Sequence, residues 1–116
     1  MIEKLIKIQK ELKVPKNQRN SFGNYNYRSC EDIVEHAKPL CHAAGLSLVI
    51  KDEVVEVGGR VYVKATAMLS DKDTTAEATG WAREALTKKG MDEAQITGSA
   101  SSYARKYALN GLFAID

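Results

Sequence analysis

Cations, aromatic rings and amides alternate in one short segment of the chain, KNQRNSFGNYNYR, at residues 16–28. Cations and amides bind phosphate oxygens, and exposed rings offer stacking surfaces worth about 1–3 kcal/mol per nucleic-acid base. The pattern predicts a nucleic-acid contact, while a turn-rich loop with two core tyrosines stays open as the alternative. The residues expected to make this contact are Lys16, Asn17, Arg19, Asn24, Tyr25, Tyr27 and Arg28.

More cations follow later in the chain and extend this candidate surface. Lys64 and Arg83 stand on predicted strands, Arg83 two residues after Trp81, and Lys88 and Lys89 stand in a segment that leads to the last helix. Each of them alone is more often a solvated charge. Together with the basic first 28 residues they suggest a groove for a polyanion, with Lys64 and Arg83 carrying it across the sheet.

The last predicted helix adds two adjacent cations, Arg105 and Lys106, between Tyr103 and Tyr107. We expect these cations to meet either DNA phosphates or the acidic face of a neighbouring subunit, and both possibilities remain open. The two tyrosines are one helical turn apart, and we expect them to belong to the core rather than to a stacking surface.

Signatures of catalysis are weak in comparison. The sequence has no GxxxxGK[ST] phosphate-binding loop. His36 and His42 have no third ligand at a spacing that suits zinc. The adjacent Cys41 and His42 point in different directions, which argues against a nucleophile–base pair. We therefore expect no catalytic residue, no metal, no cofactor and no enzyme activity.

The net charge of +2 is unevenly distributed along the 116 residues. Residues 1–28 carry seven basic and two acidic side chains, net +5, whereas residues 29–82 carry five basic and nine acidic ones, net −4. A basic N-terminal segment is a local footprint for a polyanion. The length suits one domain, which we divide into an amphipathic helix at 1–14, a basic loop at 15–28 and a core at 29–116.

Hydropathy and cysteine spacing indicate the compartment. No apolar run approaches the ~18 residues that a membrane span needs, and the N-terminus lacks the continuous apolar stretch of a signal peptide. Cys30 and Cys41 fall on one predicted helix, roughly 16 Å apart along its axis, which is too far for a disulfide. We expect reduced thiols, a cytoplasmic protein and no membrane partner.

The first half of the chain shows two helices around the basic loop. A helix is predicted at residues 2–12, with one apolar stripe made by Ile2, Leu5, Ile6, Ile8 and Leu12. The loop leads into a short strand at about residues 24–28. Ser29 then caps a second helix, with Asp32 as its capping-box partner, and this helix stops at Gly45.

The second half predicts a sheet followed by a helix. Two β-branched runs flank Gly58 and Gly59, which supply the positive φ angles of a two-residue hairpin. A third strand over TAEATGWARE carries small residues on one face, and Asp92 with Gln95 caps the last helix. The fold class is α+β: a three-stranded antiparallel sheet in a β-β-β-α core, with an extra short strand allowed, and helices packed on one face.

Three stretches carry a family resemblance: KNQRNSFGNYNYRSCEDIVEHAKPL, GWARE and, above all, KKGMDEAQITGSASSYARKYALNGLFAID. From about Pro15 onwards the chain resembles the ERF family of bacteriophage single-strand annealing proteins. The resemblance implies a fold related to the single-strand annealing superfamily, assembly into homo-oligomeric rings or arcs, and ATP-independent pairing of complementary DNA strands in phage recombination. It also implies the cytoplasm of a host cell and a contact with the host single-strand-binding protein.

The family and the order of elements leave several alternatives open. ERF proteins usually continue past Asp116, so the resemblance implies either a DNA-binding core without its C-terminal tail or a short member. A double-stranded RNA-binding module also has α-β-β-β-α order, but it does not account for the segment at 16–28. An oligomeric interaction protein that binds no nucleic acid is the third alternative.

Overall fold

A computed structural model describes residues 1–87 and 90–116, which form eight elements of secondary structure. Lys88 and Lys89, two of the predicted contact residues, lie outside the described residues. In chain order the elements are α1 (Ile2–Glu11), β1 (Gln18–Asn20), β2 (Tyr25–Tyr27), α2 (Cys30–Ala43), β3 (Ser47–Val57), β4 (Arg60–Ser70), β5 (Thr75–Arg83) and α3 (Glu93–Phe113).

The antiparallel sheet has the strand order β3-β4-β5, and its hairpin confirms the predicted turn. Gly58 and Gly59 have φ angles of +58° and +77°, and Val57 pairs with Arg60 across them. Strand β4 is central and alternates as predicted, because every second residue is buried beneath the helices. Its fully buried residues are Val63, Ala65, Ala67 and Leu69.

Helix α3 lies directly on the inner face of the sheet, and small residues on both sides make this possible. Ala104 and Ala108 are fully buried at the contact. A Cβ atom on Gly80 would collide with the backbone oxygen of Ala104 and the backbone nitrogen of Ala108. The close helix–sheet approach predicted from the small residues is confirmed, and the predicted cap of α3 is present at Asp92 and Gln95.

Helices α1 and α2 complete the core beside α3. The Ser29–Asp32 capping box forms as predicted, and Cys30 and Cys41 are both buried free thiols. Burial raises the pKa of each thiol, which keeps it protonated and unreactive.

The predicted apolar stripe of α1 is only partly correct. Ile8 and Leu12 are buried, but Ile2 and Ile6 remain 68% and 51% exposed. Their positions differ from that of Ile8 by about 200–240° around the helix axis, so they lie on a separate face. No helix within residues 1–87 and 90–116 is long and apolar enough to cross a membrane.

The segment at 15–28 departs from the prediction of a loop that leads into one strand. The strand expected near residues 24–28 is present as β2, and it pairs antiparallel with β1 to form a separate two-stranded hairpin. Strand β1 was not predicted, because its three residues, Gln18, Arg19 and Asn20, have low strand propensity. Its formation depends on the turn that follows, where Asn20 Oδ1 accepts hydrogen bonds from the backbone of Phe22 and Gly23.

Candidate nucleic-acid interface

The β1–β2 hairpin holds its polar side chains in a fixed arrangement at the surface. Arg19 Nη1 donates to Asn26 Oδ1 at 3.0 Å, and its Nη2 contacts Asn24 Oδ1. Asn24 takes a left-handed conformation with φ +55°, which is typical of Asn in tight turns. Arg19 is therefore oriented by its neighbours and remains exposed, as does Asn17 just before the strand.

The base of the hairpin meets the polar side of α3. Lys106 Nζ lies 5.5 Å from the centroid of the Tyr27 ring, a cation–π contact. A pocket at this junction is lined by three cations, Lys16, Arg28 and Lys106, together with Tyr25, Asn26, Tyr27 and one acidic residue, Asp116. We call Lys16, Tyr27, Arg28 and Lys106 the hairpin–helix patch.

Three cations of this patch are close enough to affect one another. The pKa of Lys106 is lowered from its usual range, first by burial and then by the charges of Arg28 and Lys16. Arg28 also donates to the backbone oxygen of Asp116. Like charges held together in a partly buried site favour an anionic partner, because an anion would offset both their repulsion and their desolvation.

Tyr103 and Tyr107 lie on the next arc of α3, and the expectation that they belong to the core is wrong. Each remains 47% exposed, with ring centroids 6.1 Å apart and planes tilted by 39°. Together with Trp81 and Arg83 they line an open groove of about 410 Å³ between the edge of β5 and α3. We call this the β5–α3 groove.

A signal for these two exposed tyrosines was present in the sequence. The stripe Ala100, Ala104, Ala108 defines the buried face of α3, and the residue preceding each member is turned about 100° away from it. Tyr103 and Tyr107 precede Ala104 and Ala108, which places both rings at the border of the buried face.

Lys64 and Arg83 belong to the outer face of the sheet, on the side opposite the helices. Lys64 lies 5.5 Å over the Trp81 ring and pairs in register with Glu53 of β3. The sheet and α3 lie between Lys64 and the hairpin–helix patch. The prediction of a single groove from Lys16 to Lys64 is therefore wrong. Arg83, however, lines the β5–α3 groove.

Arg105 is engaged within the fold. Its Nε donates to Asp52 Oδ1 at 3.0 Å, and Ser101 donates to the other oxygen of the same carboxylate. Of the two adjacent cations on α3, Lys106 faces the hairpin and Arg105 faces β3. Within the part of the chain that the structure describes, no group of His, Cys, Asp and Glu could hold a metal ion.

Comparison with known proteins identifies the family of this chain. Over residues 1–116 the chain matches the ERF superfamily. The chain belongs to that superfamily. This ERF chain is also 59% identical over 113 residues to the essential recombination function protein of Salmonella phage P22, an alignment covering 97% of the chain and 54% of the relative. It thus spans about half the length of the curated relative, and no solved structure matches it.

The ERF assignment agrees with the family resemblance carried by the sequence. The α+β fold, with its three-stranded antiparallel sheet and its helices, fits the single-strand annealing superfamily, as expected.

Proposed function

We propose that this ERF chain acts in phage homologous recombination, where it binds single-stranded DNA and anneals complementary strands without ATP. Membership of the superfamily and the name of the phage P22 relative support a recombination role. The observation that carries the DNA contact is the hairpin–helix patch, in which Lys16, Arg28 and Lys106 gather around the Tyr27 ring.

The chemistry of the patch suits a DNA backbone. Charges on Lys and Arg neutralise phosphates without reading the sequence, which is what a protein that pairs any two complementary strands requires. Tyr27 keeps the ammonium group of Lys106 in place, and Arg19 extends the positive surface along the hairpin. A strand held by its phosphates leaves its bases accessible to a second strand.

Annealing also needs two strands near each other, and we propose that a homo-oligomeric ring or arc provides this. The segment at 29–82 carries nine acidic and five basic side chains, while residues 1–28 are net positive. Such a distribution suits a head-to-tail contact in which one protomer's basic segment meets the acidic part of the next. The host single-strand-binding protein is the further partner that we propose, in the host cytoplasm.

The test is annealing of two complementary oligonucleotides without ATP, followed by fluorescence at low and at moderate salt. We expect acceleration that declines with salt, because lysine and arginine side chains that bind the phosphates release counterions from the strand. Binding without acceleration would contradict the annealing step. Preference for duplex RNA would favour a double-stranded RNA-binding module, and absence of any salt-sensitive binding would favour an oligomeric interaction protein.

A further inference from the structure

We infer that the β5–α3 groove is a second contact for single-stranded DNA, which takes nucleobases by stacking while the hairpin–helix patch takes phosphates. The inference rests on the proposed function, since it assigns a second part of the same strand to a separate surface. The groove's ligand is the π face of a base, and the patch's ligand is the phosphate.

The first support is the exposure of two tyrosine side chains in one groove, which Trp81 borders from the outer face of the sheet, where its ring contacts Lys64 and Tyr62. Trp81 is 45% exposed, about as much as Tyr103 and Tyr107. The two tyrosine rings are tilted by 39° instead of stacking on each other, so each leaves a face accessible. Buried Ile96 and Ala100 form an apolar floor beneath them. Contiguous exposed apolar side chains of this kind are a feature of ligand-binding grooves.

The second support is charge. Arg83 lines the groove and can meet a phosphate at its rim. Among the described residues Glu84 does not line the groove, and its charged carboxylate accepts a hydrogen bond from Thr97 Oγ1 at 2.9 Å. Among the described residues, strand β5 pairs with β4 on one side only. Its other edge therefore has unpaired backbone N–H groups along the groove, which can donate hydrogen bonds to the polar edge of a base.

The third support is continuity with the patch. Tyr103 lines the β5–α3 groove and also a pocket that contains Tyr27, Arg28 and Lys106. Among the described residues, Glu31 is the one acidic side chain that lines that pocket. A strand whose phosphates lie on the patch can therefore pass over Tyr103 and place a base in the groove. Aromatic stacking of this kind tolerates every base, because each has a π face.

The experiment compares two single-stranded probes of equal length, an oligothymidylate and an abasic deoxyribose phosphate oligomer, on the full chain. Trp81 is the single tryptophan of the sequence, so its emission reports on the groove. We expect the oligothymidylate to quench this emission and the abasic probe to leave it unchanged. The double variant Tyr103→Ala, Tyr107→Ala should weaken oligothymidylate binding by about tenfold, with abasic binding unaltered.

Two controls keep the result interpretable. The variant Tyr103→Phe, Tyr107→Phe keeps both rings and should bind the oligothymidylate like the wild type. Val54→Ala removes another exposed apolar side chain, on β3, and should change neither probe's affinity. Thermal unfolding of each variant establishes that it is folded.

Each remaining outcome overturns a definite statement. If the alanine variant binds both probes with wild-type affinity, or loses affinity for both probes equally, the groove is not a base site. The phosphate contact of the wild type then still stands. If the wild type binds neither probe, both the groove and the proposed function fall.

Discussion

The hairpin–helix patch and the outer face of the sheet both carry lysines beside aromatic rings, but their surroundings differ. On the outer face Lys64 lies over Trp81, and Glu53 stands directly opposite it in the register of β3 and β4, so a carboxylate neighbours the lysine. In the patch Lys106 lies beside Tyr27 with Arg28 and Lys16 close by, and its pKa is lowered first by burial and then by their charges. Similar residue pairs therefore have different neighbours: one carboxylate stands opposite Lys64, whereas two further cations and Asp116 surround Lys106.

This difference shows that the placement of cations matters more than their number. A carboxylate opposite a lysine partly cancels the field of that lysine, whereas clustered cations reinforce one another at a polyanion. We therefore rank the patch above the outer face as a DNA contact. The following three predictions test that ranking and the packing on which it depends.

The largest effect is expected at Gly80, where the sheet lies directly against the backbone of α3. Gly80→Ala places a Cβ against the backbone of Ala104 and Ala108, which cannot move away as a flexible side chain can. We expect a loss of about 3 kcal/mol in the free energy of unfolding, since overpacking at a backbone contact lies at the upper end of the usual cost. Urea unfolding measures this loss.

Gly98→Ala is the matched control for this substitution. Gly98 lies inside α3, is exposed, and has open space where its Cβ would be. We expect a gain of about 0.5–1 kcal/mol, because alanine favours the helix. Equal effects of the two substitutions would show that the helix–sheet contact is not the constraint at Gly80.

An intermediate effect is expected when matched lysine pairs are removed from the two surfaces. Lys16→Gln with Lys106→Gln should lower the affinity for single-stranded DNA about tenfold and flatten the log–log salt dependence by roughly one unit. Lys51→Gln with Lys64→Gln makes the same charge change on the outer face and should cost less than about threefold. Binding titrations at several salt concentrations measure both. Equal losses would contradict the ranking of the two surfaces.

The smallest effect concerns Asp32, which helps to attach the hairpin to α2. Gln18 Nε2 donates to its carboxylate at 3.3 Å, and the backbone amide of Ser29 holds the pKa of Asp32 below its usual value. Because the folded pKa is the lower one, the stabilisation is present above the unfolded pKa of about 3.9 and is lost as pH falls through the folded value.

Asp32→Asn should therefore lower the thermal stability slightly at neutral pH, and the difference from the wild type should shrink towards pH 2. Thermal unfolding across this pH range measures it. Glu35→Gln removes an exposed carboxylate from the same helix and serves as the control. A difference that stays constant with pH would show that Asp32 acts without its charge.

Much of the fold was predictable because its signals are local. The glycine pair at 58–59, the caps at Ser29 and Asp92, and the alternation along β4 each depend on a few neighbouring residues. Strand β1 was missed because its sequence favours no strand by itself. Ile2 and Ile6 were wrongly assigned to the buried face, because the sequence shows a broad apolar stripe but not which part of it packs against other elements.

The candidate site was predictable in its residue types but not in its grouping. Residues 16–28, predicted as a nucleic-acid contact, lie largely at the surface, yet Lys64 lies on the opposite side of the sheet. Tyr103 and Tyr107 were assigned to the core because tyrosines beside an alanine stripe fit either location. Only the width of the helix–sheet contact decides between these two locations.

The sequence by itself determined seven of the eight described elements, the main caps and the β3–β4 turn, and the family to which the chain is similar, because these follow from neighbouring residues and from long matching stretches. The tertiary structure alone decided which charges meet. Lys106 reaches Tyr27 and Arg28, and Arg105 pairs with Asp52, across many intervening residues. The physical reason is that adjacent positions on a helix point about 100° apart, so packing of α3 gave one cation to the patch and the other to β3.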